Sequence, residues 1–281
     1  MSMSADGQIK IVPPPDTALQ KLVPEVVYYT SDSLHLKGYL YKPSGKGPFP
    51  VFMWNHDSEK NPDSSKTLAS FWVKQGFIFF KPIRSGHSDN SGVYIVSEEK
   101  QINRRREMAQ LAFKQTYKLH QSANKDVMSA LYWIKHQPYA DSNKIVVAGA
   151  GYGGLQVLLT AEKVGKTQSG IKCFIAMAPV STIWYKMWAD SLVPALSKPE
   201  RPIFLMQAHN DYSIAPCETL GPVLEKKGQH NRYKIFPNHT LFGGSIADPE
   251  QGHSFFFNDT QAWEKEVLKF LKDCGVKRKK K

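Results

Sequence analysis

Hydrophobic and polar positions change their rhythm twice along the chain. Residues 1–24 are polar and proline-rich with no period, which predicts an N-terminal arm. Glu25–Thr30 (EVVYYT) and Leu34–Lys42 (LHLKGYLYK) are rich in β-favouring residues, and the second run alternates apolar with polar as a half-exposed strand does. Ser31-Asp32-Ser33 between them is turn-like, so the pair predicts an antiparallel hairpin. Beyond the Pro/Gly-rich stretch Pro43–Pro50 the alternation gives way to continuous apolar runs, the pattern of strands buried on both faces. These runs are Val51–Asn55, Gly76–Lys81, Lys144–Ala150, Lys172–Met177, Ile203–Ala208 and Tyr233–Phe236. Helical spacing fills the intervals at about Ser64–Gln75, over 98–137 with a break near Gln121–Asn124, and at Gly153–Val164, Cys217–Lys227 and Thr260–Leu271.

An antiparallel start followed by repeated strand–helix units predicts an α/β fold, a mostly parallel central sheet with helices on both faces. No internal repeat or linker divides residues 25–272, so they form one predicted domain. Two insertions, 96–120 and 182–199, are placed to cap a site. The second carries Trp184, Tyr185, Met187 and Trp188, which fit either packing over the sheet edge or the apolar wall of a substrate pocket.

Composition narrows the picture without changing it. With 281 residues, 41% apolar and 22% charged, the chain can bury one large core. The net charge is +12, but Lys277, Arg278, Lys279, Lys280 and Lys281 lie in a short basic tail, 273–281, that reads as solvated. Arg104-Arg105-Arg106 reads as an exposed helix face, and no nucleic-acid-binding fold accompanies either cluster. The three cysteines have no metal-ligand spacing, which predicts free thiols in a reducing compartment. The first residues show no secretory h-region and no apolar run reaches membrane-spanning length. The expectation is a cytoplasmic protein with no metal, no cofactor, and neither nucleic acid nor membrane as a partner.

The candidate chemistry starts at Lys144–Leu159, KIVVAGAGYGGLQVLL. A strand runs straight through Gly149-Ala150-Gly151-Tyr152-Gly153-Gly154 into a helix, the setting of a nucleophile elbow, G-x-S-x-G. So sharp a turn leaves no room for side chains two residues before and after its apex, the places of Gly149 and Gly153. The apex itself, where a nucleophile belongs, is Gly151. Gly149, Gly151 and Gly154 also fit the dinucleotide spacing G-x-G-x-x-G, but the loop lies mid-chain and the next strand ends in Ala176-Met177-Ala178-Pro179 with no acidic residue.

Four further segments join the elbow: Pro48–Pro62 (PFPVFMWNHDSEKNP), Arg84–Gly92 (RSGHSDNSG), Gln207–Ser213 (QAHNDYS) and Gly252-His253. Together they resemble the α/β-hydrolase superfamily, in particular its dienelactone-hydrolase-like group, over roughly residues 25–272. Members of that group carry Ser or Cys at the apex, so the resemblance implies a carboxylic-ester or lactone hydrolase framework whose nucleophile place holds Gly151. It further implies Asp211 as the acid that orients His253, and His253 as the base. His239 competes as base but follows its strand too closely. Backbone N–H groups of Tyr152 and of Asp57 or Ser58 would form the oxyanion hole, with His56 bracing that loop beside the substrate pocket of Trp184 and Trp188. Asp57 stands where many relatives have Gly, and its carboxylate would make the site less welcoming to an oxyanion.

Three explanations of Gly151 are open. It replaces a serine in an inactivated version, the favoured reading. Or it is natural and His253 works without covalent catalysis, on water or as the base of a lyase, isomerase or cyclase. Or the pocket binds a small molecule and catalyses nothing.

Overall fold

A computed structural model describes residues 22–104, 109–164, 170–197, 199–228, 230–241 and 244–276. Most of the N-terminal arm, the basic run 277–281, and Arg105 and Arg106 of the arginine cluster lie outside the described residues.

Eight strands form one sheet among the described residues: β1 (Glu25–Ser31), β2 (Leu34–Tyr41), β3 (Phe49–Asn55), β4 (Ile78–Pro82), β5 (Ala140–Ala150), β6 (Ile171–Met177), β7 (Ile203–Ala208) and β8 (Arg232–Phe236). Their order is β1-β2-β4-β3-β5-β6-β7-β8. The β1–β2 and β2–β4 pairs are antiparallel and all later pairs are parallel. The helices are α1 (Lys66–Lys74), α2 (Ile95–Arg104), α3 (Ala109–Lys135), α4 (Tyr152–Val164), α5 (Lys186–Ala195), α6 (Ala215–Lys226), α7 (Pro249–Asn258) and α8 (Thr260–Asp273).

The continuous apolar runs follow from this layering. Val51 and Met53 of β3 enter the core on one face with Leu131 of α3 and Leu158 of α4. Phe52 and Trp54 enter the other with Trp72 of α1 and Trp263 and Phe270 of α8. A strand covered by helices on both faces has no solvent side, so its sequence does not alternate. On one of these faces Phe52 and Trp72 stack with ring centroids 3.6 Å apart.

One sequence expectation needs correction. The break near Gln121–Asn124 is absent, because α3 runs unbroken from Ala109 to Lys135. Asn124 there points inward, and its Nδ2 donates to the Gln156 carbonyl, to Gln156 Oε1 and to Thr160 Oγ1 at 3.0–3.1 Å. His253 precedes the final helix and sits within α7, a separate helix whose N-cap is Asp248.

The crevice at the carboxyl ends of β3, β5 and β7 receives the candidate site, where open α/β sheets place their ligands. The loop after β3 brings Asp57, the β5–α4 turn brings Gly151, and the loop after β7 brings Asp211.

Candidate functional site

The β5–α4 turn is as tight as its glycines imply. A Cβ on Gly153 would fall 2.0 Å from the Asn55 carbonyl oxygen, and one on Gly149 would fall 2.6 Å from that of Gly153. Gly151 at the apex has φ +55°, the left-handed region where a side chain is strained. The Gly151 N–H donates to the Met177 carbonyl at 3.0 Å and its own carbonyl receives the Leu155 N–H at 3.1 Å, tying the apex to β6 and α4.

The space beside Gly151 is filled by Asp57. A Cβ built on Gly151 would lie 2.1–2.2 Å from the Asp57 carboxyl atoms. Asp57 Oδ1 accepts the Tyr152 backbone N–H at 2.7 Å, and Asp57 Oδ2 accepts a hydrogen bond from His253 Nε2 at 3.0 Å. The Asp57 carboxylate thus stands both in the place of an apex side chain and on the Tyr152 donor assigned above to an oxyanion. The sequence assigns Asp57 a backbone donor role and expects its carboxylate to disfavour an oxyanion; here that carboxylate itself takes up the Tyr152 N–H.

His253 is held from its other end as well. Its Nδ1 donates to Asp211 Oδ1 at 2.9 Å. The Ser181 hydroxyl donates to the same oxygen at 2.9 Å, Gln207 Nε2 donates to Asp211 Oδ2 at 3.0 Å, and the Tyr212 N–H adds a bond of 2.7 Å. Ser181 carries no motif, and Gln207 opens the Gln207–Ser213 segment without a role the sequence could assign. Gly252 allows the approach, since a Cβ there would lie 2.5 Å from the Asn210 backbone. Burial pushes the His253 pKa down, but hydrogen bonds and charges from Asp211 and Asp57 outweigh it and raise the value to about 10. At neutral pH the site is therefore carboxylate–imidazolium–carboxylate.

The Asp57 loop is pinned from behind. Arg84 Nη1 donates to the His56 carbonyl and Nη2 to the Asp57 carbonyl, both at 2.6 Å. His56 Nε2 accepts the Arg84 backbone N–H at 3.1 Å, so Nδ1 carries the proton and donates to the Asp57 carbonyl at 2.9 Å. Burial, then the Arg84 charge, pushes the His56 pKa well below its ordinary value, consistent with that neutral tautomer. The Ser58 carbonyl accepts the Tyr94 hydroxyl at 2.7 Å.

A cleft of about 680 Å³ opens over Asp57 and His253, lined also by Ser58, Thr182, Tyr212 and Phe257. Lys81, nearly fully buried, lies in its wall and donates to Ser65 Oγ at 2.8 Å. The residues assigned to the pocket from sequence lie elsewhere. His56 is wholly buried behind the loop. Trp188 is wholly buried against Phe113, Tyr117 and His120 and is a core residue. Trp184 lines a neighbouring cavity of about 440 Å³ with Glu99, Thr116 and Tyr185. Glu99 also receives the Tyr152 hydroxyl and pairs with His120 Nε2 at 2.7 Å, fixing the Tyr152 side chain. His239 turns away toward Asp259, 3.8 Å distant. Among the described residues no group of three or more His, Cys, Asp or Glu is arranged to hold a metal ion, and no helix is long and apolar enough to cross a membrane.

Comparison with known proteins adds a context to this geometry. The chain matches the prolyl oligopeptidase family over residues 110–200, the part that holds the elbow. No curated protein matches the sequence significantly. Among solved structures it is similar to the acylaminoacyl peptidase of Pyrococcus horikoshii, with TM-score 0.62 and 16% identity, over 94% of this chain and 43% of that one. It spans less than half of that peptidase. It is similar to a Klebsiella pneumoniae protein assigned as a dienelactone hydrolase, with TM-score 0.59 and 14% identity, over 90% and 98% of the two chains. A thermophilic esterase from Thermogutta terrifontis gives TM-score 0.57 and 18% identity over 92% and 97%. With the strand order, the elbow and the crevice above, these likenesses establish that the chain has the α/β-hydrolase fold.

Proposed function

We propose that the chain is a small-molecule hydrolase in which the group that meets the substrate is the Asp57 carboxylate, working with His253 and Asp211, in place of an elbow hydroxyl. One observation carries this reading: Asp57 fills the space that Gly151 leaves, with its carboxyl atoms 2.1–2.2 Å from where a Cβ would be. A side chain at 151 requires the Asp57 carboxylate to swing aside. The two residues as they stand fit each other, which favours a natural Gly151 over a lost serine. The Asp57 side chain remains 15% exposed and faces the cleft, so a substrate can reach it. Imidazolium and carboxylate side by side supply an acid and a base at one centre.

A second reading keeps the serine chemistry. The cradle of Gly149 and Gly153 and the paired His253 and Asp211 would serve a serine unchanged. In that reading the chain is a carboxylic-ester or lactone hydrolase framework, inactive as it stands because Gly151 lacks a hydroxyl. Asp57 would have to leave the apex and the Tyr152 N–H before an acyl oxygen could bind there.

Four proteins separate the two: the unaltered chain, Asp57→Ala, Gly151→Ser, and Gly151→Ser with Asp57→Gly. They are assayed on short acyl esters, lactones and alkyl halides. The first reading expects turnover by the unaltered chain that Asp57→Ala abolishes. Activity appearing only in the Gly151→Ser, Asp57→Gly double variant overturns it in favour of the second. Turnover that survives Asp57→Ala overturns it as well.

A further inference from the structure

We infer that Asp57 is a nucleophile toward saturated carbon, and that the substrates of this site are alkyl halides or sulfonate esters, hydrolysed through an alkyl ester formed on Asp57. The inference rests on the proposed function and names its substrate class. Three features of the site lead to it.

The first is the occupied donor. In acyl transfer to a hydroxyl, the elbow N–H stabilises the oxygen of the substrate's carbonyl. Here the Tyr152 N–H already holds Asp57 Oδ1 at 2.7 Å. The carbonyl placed for attack, with an oxyanion donor on its oxygen, is therefore the one Asp57 itself would present as an ester.

The second is leaving-group chemistry. Attack of a carboxylate on a carboxylic ester would form an anhydride and expel an alkoxide, a far worse leaving group than the carboxylate, so the step would reverse. Attack on saturated carbon bearing a halide or sulfonate expels a weakly basic anion and leaves a stable ester, which suits a carboxylate nucleophile.

The third is the position of His253. Its Nε2 lies 3.0 Å from Asp57 Oδ2, and its Nδ1 is anchored on Asp211 at 2.9 Å. While both carboxylates are charged, they hold the imidazolium proton in place. Alkylation removes the charge of Asp57 and with it one of the two groups that retain that proton. The imidazole then loses the proton to solvent through the cleft and becomes a base beside the new ester.

The steps balance. An Asp57 oxygen forms a bond to carbon as the carbon–halogen bond breaks, and halide leaves with the bonding pair. After His253 releases its proton, it accepts one from a water that attacks the Asp57 carbonyl carbon, and the Tyr152 N–H holds the resulting oxyanion. Collapse breaks the acyl C–O bond, the alkoxide takes the proton from His253, and the carboxyl proton returns to His253. The sum is alkyl halide plus water giving alcohol, halide and one proton.

The test uses butyl bromide and butyl tosylate with the full chain. The unaltered chain is expected to release bromide over many turnovers, and Asp57→Asn to lower that rate by roughly a hundredfold or more. His253→Gln is expected to stop after one turnover with a butyl group on Asp57, located by peptide mass mapping. In heavy-oxygen water, the alcohol from a single turnover should carry ordinary oxygen while the label enters the Asp57 carboxylate. Heavy oxygen in that first alcohol, with no adduct in His253→Gln, overturns the nucleophilic role. Asp57-dependent hydrolysis of esters or lactones without bromide release overturns this inference and leaves the proposed function standing. Absence of any Asp57-dependent turnover overturns both.

Discussion

His56 and His253 are both buried against Asp57, one touching its carbonyl and the other its carboxylate, yet their proton affinities move in opposite directions. Around His56 burial and the Arg84 guanidinium both disfavour charge, and the ring works as a neutral strut. Around His253 burial also disfavours charge, but two carboxylates reverse the outcome and carry its pKa to about 10. Burial alone does not decide a histidine's charge; the sign of its partners does. The two rings divide the labour at Asp57, one fixing where the backbone goes and the other what the carboxylate can do.

Removing a partner of the charged ring should have the largest effect. Asp211→Ala leaves the buried imidazolium with one carboxylate and strips Ser181 and Gln207 of an acceptor. It should cost about 3–5 kcal/mol in urea denaturation, and a loss below ~1 kcal/mol would contradict the charged assignment. On the neutral side, Arg84→Ala removes the two guanidinium bonds to the loop. It should cost roughly 2–4 kcal/mol, and Arg84→Lys should recover little because a point charge cannot span both carbonyls.

Gly151→Ala tests the fit between apex and carboxylate. The new methyl meets Asp57 at 2.1 Å and its residue has φ +55°. The expected cost is about 1–3 kcal/mol. In a double-mutant cycle, the same change on an Asp57→Ala background should cost measurably less, and strict additivity would show that Asp57 lies elsewhere.

The smallest effect is a slope. The His253 pKa is about 10 in the fold against 6.5 unperturbed, so its stabilisation is complete below about 6.5 and fades as pH rises through about 10. His56 and His87 are shifted the other way, His87 to about 3, so the unfolded chain takes up protons that the fold does not. Their contribution is lost as pH falls below about 6.5. Thermal melts should show a maximum near neutrality, and each proton involved changes stability by about 1.4 kcal/mol per pH unit. His253→Gln should flatten the alkaline limb alone.

The strands, the elbow and the acid and base candidates were legible because each rests on local pattern. Gly149 and Gly153 report a backbone collision, and continuous apolar runs report burial on both faces. The position of the Asp57 carboxylate was not legible, although an acidic residue opposite a missing side chain was a signal. Its direction is set by Arg84, 27 residues away, which pins the loop carbonyls. By sequence Trp188 fits both a pocket wall and core packing, because residue type does not distinguish a wall from a core. Polar Gln121–Asn124 imitated a loop because the partners of Asn124 lie on another helix.

The most direct measurement is a nitrogen-15 NMR titration of the His253 ring in the unaltered chain and in Asp57→Asn. The expected result is a ring doubly protonated through pH values well above neutral in the unaltered chain, titrating at about 10, and a clearly lower pKa in Asp57→Asn. A His253 that titrates near 6.5 and ignores the Asp57 substitution would contradict the carboxylate–imidazolium–carboxylate site.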